Sequence, residues 1–387
     1  MLHLAQRMND IHPFRVMEVI DRAQALEKAG HDIIHMEVGE PDFPTAQPII
    51  DAAKGFLDQG RVPYAPTAGL PALREALARF YQDRFSVNIA PERIIITPGA
   101  SGALMLALAV TTNPGDEWLL PDPTYPCNRH FVRCFEGRVK LMPVNASSEF
   151  QPTAAMIGQA WTDATIGTIV ASPANPSGTL LSQQALRQIH AEVAERRGLL
   201  IVDEIYQGLV YGQQPQTVLS FCNDAFVVNS FSKYFGMTGW RLGWLVVPES
   251  YADEVTKLAQ HFFISSPVPA QHAALAALSP AALDIMEQRR EELAKRRNCL
   301  LPELNRLGFK IAAVPEGAFY IYADCSALAD NSDQLARRMI EEADIAVTPG
   351  RDFGDYCALQ HLRFSYTARQ SRLMEAMERL ERMLRSA

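Results

Sequence analysis

The chain has no run of about 18 apolar residues, the length that a membrane-spanning helix requires, and we therefore predict no such helix. It also lacks a block of lysines or arginines, and its 387 residues carry a formal net charge of −8. This acidic balance argues against a nucleic acid or an anionic membrane as the partner. The N-terminal stretch lacks the apolar core of a signal peptide, so we expect a cytoplasmic protein.

No two of the six cysteines form a C-x-x-C pair. Scattered thiols of this kind are typical of a reduced protein, and neither a disulfide framework nor a zinc site is predicted. With 48% hydrophobic residues the chain can bury a large core, and 387 residues suffice for two or three domains at about 150 residues each.

Helical stretches alternate with short apolar strands between residues 45 and 255, where the strand candidates are 94–96, 117–120, 168–170, 199–202, 226–228 and 242–247. Strands buried on both faces have this pattern, so we predict an α/β fold with a mostly parallel sheet covered by helices. A long polar helix and two strand candidates beyond this region predict a smaller α+β domain, at 282–307, 317–322 and 361–365. The expected parts are an N-terminal arm that packs with the small domain, a large cofactor-binding domain and the small domain, at 1–44, 45–255 and 256–387.

Polar segments follow the strands of the large domain: T-P-G-A-S-G, P-D-P-T-Y-P, A-S-P-A-N-P-S-G, D-E-I-Y and N-S-F-S-K. Ligands bind at the carboxyl ends of the strands in such sheets. We therefore expect these segments to meet at one site.

The segment N-S-F-S-K-Y-F-G-M-T-G-W-R has the residues that an aldehyde cofactor with a phosphate group needs. Such a cofactor needs a lysine for a Schiff base, and its phosphate needs a planar cation with short hydroxyls around it. Lys233, Arg241, Ser230 and Ser232 supply these groups. Taken alone, the segment could also be an exposed loop.

Two other segments suit the same cofactor. Asp203 ends the strand L-L-I-V-D, where a buried carboxylate is costly unless it meets a cation such as a protonated ring nitrogen. It could instead cap the following turn. The amides of Ala100 and Ser101, with the Ser101 hydroxyl, begin an apolar helical stretch and could bind a phosphate there, although such turns are common.

Together these motifs resemble the class I/II, fold-type-I pyridoxal-phosphate-dependent aminotransferases, nearest their aspartate- and alanine-aminotransferase-like branch. The resemblance extends from V-G-E-P-D-F through A-x-P-x-N-P-x-G, P-E-G-A-F-Y and T-P-G-R-D-F-G to Arg363. It implies pyridoxal 5'-phosphate as the cofactor, L-amino acids and 2-oxo acids as substrates, and a homodimer with shared active sites.

The resemblance also implies roles for individual residues. Lys233 would form the Schiff base and then act as general base, Asp203 would pair with the ring nitrogen, and Tyr206 would bind the phenolic oxygen. Asn175 would contact the same oxygen and the substrate carboxylate, and Tyr125 would stack on the ring. From the residues alone, Asn175 could belong to an ordinary loop, and Tyr125 could be a packing residue.

The substrate and the subunit interface are implied in the same way. Arg363 would grip the α-carboxylate, with Gly39 beside it, unless it forms an ion pair with an acidic residue. Tyr64 would reach the cofactor phosphate of the neighbouring subunit. T-P-G-A-S-G lacks the lysine that some aspartate-using relatives carry after the glycine, so a dicarboxylate donor is not expected unless Arg15 or Arg61 binds it.

The predicted function is a transaminase that acts by a ping-pong mechanism on a neutral or apolar donor. Phe14, Val16 and Tyr322 indicate an apolar pocket. The same cofactor residues could serve a C–S β-lyase acting on cysteine conjugates or cystathionine, or an aminocyclopropane-carboxylate-type elimination. A cofactor-binding sensor domain is a further alternative, against which the acidic charge argues.

Overall fold

The apolar runs of the sequence form the strands of a seven-stranded sheet, in a computed structural model that describes residues 3–386. Residues 1 and 2 of the expected arm and residue 387 of the expected C-terminal domain lie outside this range. The strands of residues 3–386 are β1 (Ile34–His35), β2 (Ile94–Thr97), β3 (Glu117–Asp122), β4 (Arg138–Pro143), β5 (Thr165–Ala171), β6 (Leu199–Asp203), β7 (Phe226–Ser230), β8 (Gly243–Val246), β9 (Tyr320–Asp324), β10 (Ile345–Ala346), β11 (Thr348–Pro349) and β12 (His361–Ser365). The seven-stranded sheet contains β2 to β8, and the other strands form two smaller sheets.

The α-helices alternate with these strands through the first two thirds of the chain. They are α1 (Arg15–Lys28), α2 (Gln47–Leu57), α3 (Pro71–Phe85), α4 (Gly99–Thr111), α5 (Cys127–Cys134), α6 (Ala154–Ala160), α7 (Gln183–Glu195), α8 (Ala252–Phe263), α9 (Val268–Ala277), α10 (Pro280–Arg306), α11 (Ser332–Ala343) and α12 (Gln370–Arg385). None of the helices within residues 3–386 is long and apolar enough to cross a membrane.

The large sheet has the strand order β2-β8-β7-β6-β5-β3-β4. Only β8 runs antiparallel to its neighbours, so the prediction of a mostly parallel sheet is confirmed. The sequence prediction omitted β4, because this edge strand is partly exposed and alternates basic with apolar residues. An edge strand buries less side-chain surface and therefore lacks a continuous apolar run.

Helices cover both faces of the large sheet. Along β2, Ile95 belongs to a core with Leu104 of α4, whereas Ile94 and Ile96 belong to the core on the opposite face with Leu77 of α3. Successive side chains of a strand point to opposite faces, so a strand that is apolar throughout is stable only between two layers. Each fully buried aliphatic side chain contributes about 1.5–3 kcal/mol.

The C-terminal part forms a three-stranded antiparallel sheet in the order β11-β12-β9. Strand β9 begins at Tyr320, later than expected, because Gly317 forms an isolated bridge with Val210 and Ala318 has a left-handed backbone with φ 56°. Strand β12 has the predicted bounds and places Arg363 in the middle strand, opposite Tyr322 and Thr348.

The N-terminal arm packs on this C-terminal sheet. Strand β1 pairs in parallel with β10, and the Arg22 guanidinium on α1 donates two hydrogen bonds to Glu341 on α11. The carboxylate of Asp352 accepts a hydrogen bond of 2.7 Å from the Arg15 amide at the start of α1. The first helix is therefore attached at its start to the segment before β12 and in its middle to α11.

Candidate active site

The polar segments that follow the parallel strands meet at one edge of the sheet. The antiparallel direction of β8 brings Arg241, which precedes that strand, to the same edge. A cavity of about 330 Å³ lies there. Its walls include Gly39, Ala100, Ser101, Tyr125, Asn175, Asp203, Tyr206, Ser232, Lys233, Arg241 and Arg363.

Lys233 follows β7 and extends into this cavity. Its Nζ donates a hydrogen bond of 2.6 Å to the carbonyl of Gly39. Burial lowers the pKa of Lys233 to about 8, and the charges of Arg363 and Arg241 act in the same direction against those of Glu40 and Asp203. Near neutral pH a fraction of the amine is therefore uncharged and able to act as a nucleophile or a base.

Asp203 ends β6 and is buried. Within residues 3–386 its carboxylate accepts one hydrogen bond, from the Ile205 amide to Oδ1 at 3.0 Å. Burial raises the pKa of Asp203 to about 6, opposed by this amide and by the charge of Lys233. Its second oxygen therefore lacks a donor from the described part of the chain, which suits a cationic partner in the cavity.

Tyr206 and Tyr320 form a pair in the wall of the cavity, with their hydroxyl oxygens 2.9 Å apart. Both are buried. Sequence reasoning assigned a role to Tyr206 but not to Tyr320, which belongs to the quoted segment P-E-G-A-F-Y. A side chain at Gly39 would place its Cβ only 2.5 Å from the Tyr320 hydroxyl, so the close approach of the bend at Gly39 to this tyrosine requires a glycine.

An anion cradle lies at the N-terminus of α4, formed by Gly99, Ala100, Ser101 and Arg241. Gly99 has φ +72°, and a Cβ there would lie 2.8 Å from Nη2 of Arg241. The arginine has a left-handed backbone and donates from Nη1 to the carbonyl of Thr238 at 2.9 Å. In the part of the chain that the structure describes, Arg241 forms no salt bridge, so its charge is available to an anion at the helix N-terminus.

The two serines of the lysine segment have different positions. Ser232 lines the cavity. Ser230 is buried and does not line it, and its hydroxyl donates to the carbonyl of Leu242 at 3.0 Å and contacts the Ser232 hydroxyl at 2.9 Å. The structure therefore places Ser230 behind Ser232, where it holds the loop.

Arg363 is buried opposite the anion cradle. Its Nη1 donates to Oδ1 of Asn175 at 3.0 Å, and its Nη2 donates to the carbonyl of Glu37 at 2.6 Å and to the Thr348 hydroxyl at 3.2 Å. Its guanidinium carbon lies 4.2 Å from the ring centroid of Tyr320, and its Nε has no hydrogen-bond partner in the described part of the chain. Among residues 3–386 no carboxylate forms a salt bridge with it, and a buried cation without a counter-ion suits an anionic ligand.

Several other side chains predicted from the sequence lie elsewhere. Tyr64, with 79% of its surface exposed, is outside the cavity. Arg15 and Arg61 are exposed and do not line it. Tyr322 stacks on His361 instead of facing the cavity, so the hint from this residue was wrong.

Apolar side chains line the cavity beside the polar groups. They come from the arm, from α4 and from the segment before β12: Phe14, Val16, Met17, Ile20, Leu104 and Phe353. The sequence indicated Phe14 and Val16. It assigned no role to Met17 or to Phe353, although Phe353 belongs to the segment T-P-G-R-D-F-G, because their approach depends on how the arm packs on the small sheet.

Comparison with known proteins defines the class. The model of the family "Aminotransferase class I and II" matches residues 31–380, and the chain belongs to this family. It is 35% identical over 373 residues to the valine–pyruvate aminotransferase of Mycobacterium tuberculosis, covering 96% of each chain. It is 33% identical to the aspartate/prephenate aminotransferase of Thermus thermophilus, covering 98% of each chain.

Solved structures agree with this assignment. An aminotransferase from Mycobacterium tuberculosis superposes with a TM-score of 0.96 at 34% identity over the whole of both chains. A double mutant of the Thermus thermophilus aspartate aminotransferase gives a TM-score of 0.93 at 33% identity, covering 99% of this chain and 100% of the other. The fold-type-I class, the transaminase activity and the dependence on pyridoxal 5'-phosphate are thereby confirmed. Nothing in these comparisons favours the C–S β-lyase.

The residues of the cavity fit this cofactor. Lys233 offers an amine of lowered pKa, and Asp203 offers a carboxylate oxygen that has no donor among residues 3–386. The anion cradle offers a cation beside a helix N-terminus, and this cation forms no salt bridge among residues 3–386. These three groups match an aldehyde, a protonated ring nitrogen and a phosphate.

Proposed function

We propose that the enzyme transfers the amino group of a neutral or apolar L-amino acid to a 2-oxo acid by a ping-pong mechanism. The observation that carries this proposal is the buried guanidinium of Arg363, which has no carboxylate partner among residues 3–386 and lines the same cavity as Lys233. A planar cation of this kind binds a carboxylate through two parallel hydrogen bonds. Asn175 holds one edge of the guanidinium in place.

Four groups would hold the cofactor. The anion cradle, with the Ser232 hydroxyl, would bind its phosphate, and Ser230 would support Ser232 from behind. Asp203 would keep the ring nitrogen protonated, because an ionised carboxylate favours a cation beside it. Tyr206 and Asn175 would donate to the phenolic oxygen, and Tyr125 would cover one face of the ring.

Lys233 would move the proton in each half-reaction. When bound, pyridoxal 5'-phosphate supplies an aldehyde for covalent capture of the amine and a ring that accepts the electrons released at Cα. The neutral Lys233 amine would remove the Cα proton of the amino acid, and the resulting ammonium would deliver that proton to the aldehyde-derived carbon of the cofactor. Arg363 would fix the carboxylate and so orient the Cα–H bond toward Lys233.

The apolar wall supports a neutral or apolar donor. Among residues 3–386 the cations that line the cavity are Lys233, Arg241 and Arg363, which the cofactor and the α-carboxylate would occupy. No further cation among these described residues remains for a second carboxylate. The name of the Mycobacterium tuberculosis relative, a valine–pyruvate aminotransferase, is consistent with an apolar donor.

A panel of donors tests this assignment. The purified holoenzyme is mixed with alanine, valine, leucine, methionine, phenylalanine or aspartate, and loss of the bound aldehyde form is followed by absorbance in single turnover. We expect kcat/KM for the best apolar donor to exceed that for aspartate by at least about tenfold, since an unpaired buried carboxylate costs more than 1.4 kcal/mol. Aspartate as the fastest donor would contradict the proposal.

We propose, in addition, that the enzyme is a homodimer whose subunits share active sites. Tyr64 lies outside its own cavity at 79% exposure, near the exposed apolar residues Val62 and Ile264. The Thr67 hydroxyl donates to the carbonyl of Ile264 at 2.9 Å, which joins these segments into one surface. Exposed apolar surface of this kind marks an interface, and Tyr64 would reach the partner's phosphate from it.

Mixed dimers test the shared site. The inactive variants Lys233→Ala and Tyr64→Ala are unfolded together and refolded, so that a hybrid contains one cavity with both residues intact. We expect the mixture to regain about a quarter of the wild-type activity, because half of the dimers are hybrids with one intact site. Activity no greater than the mean of the two variants would contradict the shared site. The three-part domain division and the cytoplasmic location stay predictions.

A further inference from the structure

A second cluster of chemically active side chains lies at the opposite edge of the sheet from Lys233. His190 of α7 and Asp224, which precedes β7, approach within 2.8 Å through Nε2 and Oδ1. The Cys222 sulfur lies 2.9 Å from the same carboxylate oxygen. A nitrogen, a sulfur and an oxygen thus lie within 4.8 Å of one another.

We propose that His190, Cys222 and Asp224 bind one thiophilic divalent cation such as Zn²⁺, with water as the fourth ligand. These residue types supply the nitrogen, sulfur and oxygen ligands that Zn²⁺ prefers. Tetrahedral bonds of ordinary length place such atoms about 3.3–3.6 Å apart. The two contacts of the Asp224 oxygen, at 2.8 Å and 2.9 Å, are about 0.5–0.8 Å shorter than this, and the Asp224 side chain is 70% exposed and can move outward to lengthen them.

The surroundings keep the Cys222 thiol protonated until an ion binds, and they leave the cluster open to solvent on one side. Burial and the hydrogen bond to Asp224 raise the pKa of the Cys222 thiol to about 12, and the backbone N–H groups of Asp224 and Ala225 oppose this shift. The guanidinium of Arg93 donates to the carbonyl of Asn223 at 2.8 Å, and its charge also acts on this sulfur. An ion can enter from solvent on the exposed Asp224 side, while Cys222 is buried and closes the inner side.

Binding would proceed with a defined proton balance. The Cys222 thiol gives its proton to solvent as the S–metal bond forms. His190 coordinates through the lone pair of Nε2 with its ring proton on Nδ1, and Asp224 coordinates as the carboxylate. One proton is therefore released for each ion bound.

The bound ion would link α7 to the segment that precedes β7. Strand β7 has five residues, so the ion would lie roughly 16 Å along the strand from the segment that carries Lys233. We therefore expect a gain in thermal stability without a change in the active-site residues. The sequence predicted no zinc site because it has no C-x-x-C pair. A Cys-x-Asp segment with a distant histidine lacks the C-x-x-C spacing and was therefore not recognised.

Titration of the chelator-treated holoenzyme with ZnCl₂ tests the proposal. Calorimetry is expected to show one ion per subunit and release of one proton, and Co²⁺ in place of Zn²⁺ is expected to give thiolate-to-cobalt charge-transfer absorption. His190→Gln and Asp224→Asn, both at accessible positions and so expected to fold, should each weaken binding by at least about tenfold. Cys134→Ser removes an exposed thiol outside the cluster and should bind as the wild type does.

Thermal unfolding provides a second readout. The melting temperature of the wild type and of Cys134→Ser should rise with zinc concentration, and that of His190→Gln should not. Absence of binding by the wild type would overturn the proposal. Equal binding by the wild type and His190→Gln, or loss of binding in Cys134→Ser alone, would assign the metal to adventitious thiols and also overturn it.

Discussion

Replacing Arg363 by lysine is expected to lower kcat/KM for the best amino-acid donor by about tenfold to about 150-fold. Lysine keeps the positive charge but loses the planar fork, which the structure holds through Asn175, Glu37 and Thr348. One hydrogen bond to a charged group contributes about 1.5–3 kcal/mol, and each 1.36 kcal/mol is a factor of ten in rate.

The assay compares two substrates on two enzymes. Single-turnover rates are measured with the best donor and with the amine formed by removing its α-carboxylate, for the wild type and Arg363→Lys. If Arg363 binds the carboxylate, the wild type and Arg363→Lys should react with the amine at the same rate, because the amine has no group for the guanidinium to hold. A penalty below twofold with the amino acid, or an equal penalty with both substrates, would refute the assignment.

Three other perturbations follow from the site. The rate at which the apoenzyme captures pyridoxal 5'-phosphate should rise with pH around a midpoint near 8. The reason is that only the neutral Lys233 amine attacks an aldehyde, and burial lowers the pKa of this amine to about 8. A rate that is flat from pH 6 to 9 would contradict this prediction. Burial raises the pKa of Asp203 to about 6, so its ionised form destabilises the folded apoenzyme as the pH rises through that value. Asp203→Asn should therefore stabilise the apoenzyme at pH 7.5 by up to about 3 kcal/mol in urea unfolding, with no gain near pH 4, while turnover falls at least about a hundredfold; an unchanged or lower stability at pH 7.5 would contradict it. Gly99→Ala places a Cβ on a residue with φ +72°, at 2.8 Å from Nη2 of Arg241. The dissociation constant of the cofactor, measured by fluorescence, should therefore rise at least about tenfold. Unchanged affinity would argue against the anion cradle.

The sequence was informative where one short segment carries the chemistry. Strands β5, β6 and β7 are buried on both faces, so their apolar runs were recognisable, and the polar residues that follow them had to share an edge once the strands were parallel. The gathering of Asn175, Asp203 and Lys233 in one cavity follows from that geometry.

Features that depend on contacts between distant segments were not predictable. A pattern of apolar residues shows neither the antiparallel direction of β8 nor the partly exposed edge strand β4. The Tyr206–Tyr320 pair joins residues 114 positions apart, and the support of Arg363 by the Glu37 carbonyl joins residues 326 apart. Ser230 looked like a cofactor ligand because spacing does not show whether a hydroxyl faces the cavity or the loop behind it.

The most direct test of the central claim is the amount of 2-oxo acid formed from one donor when no acceptor is added. With valine, or with the best donor of the panel, we predict one matching 2-oxo acid for each subunit and then a stop, with no free ammonia. This follows because the cofactor would retain the amino group until a second oxo acid arrives, with Lys233 as the proton carrier. Continued release of oxo acid with ammonia would indicate a lyase, and no release from any donor would contradict the transaminase mechanism.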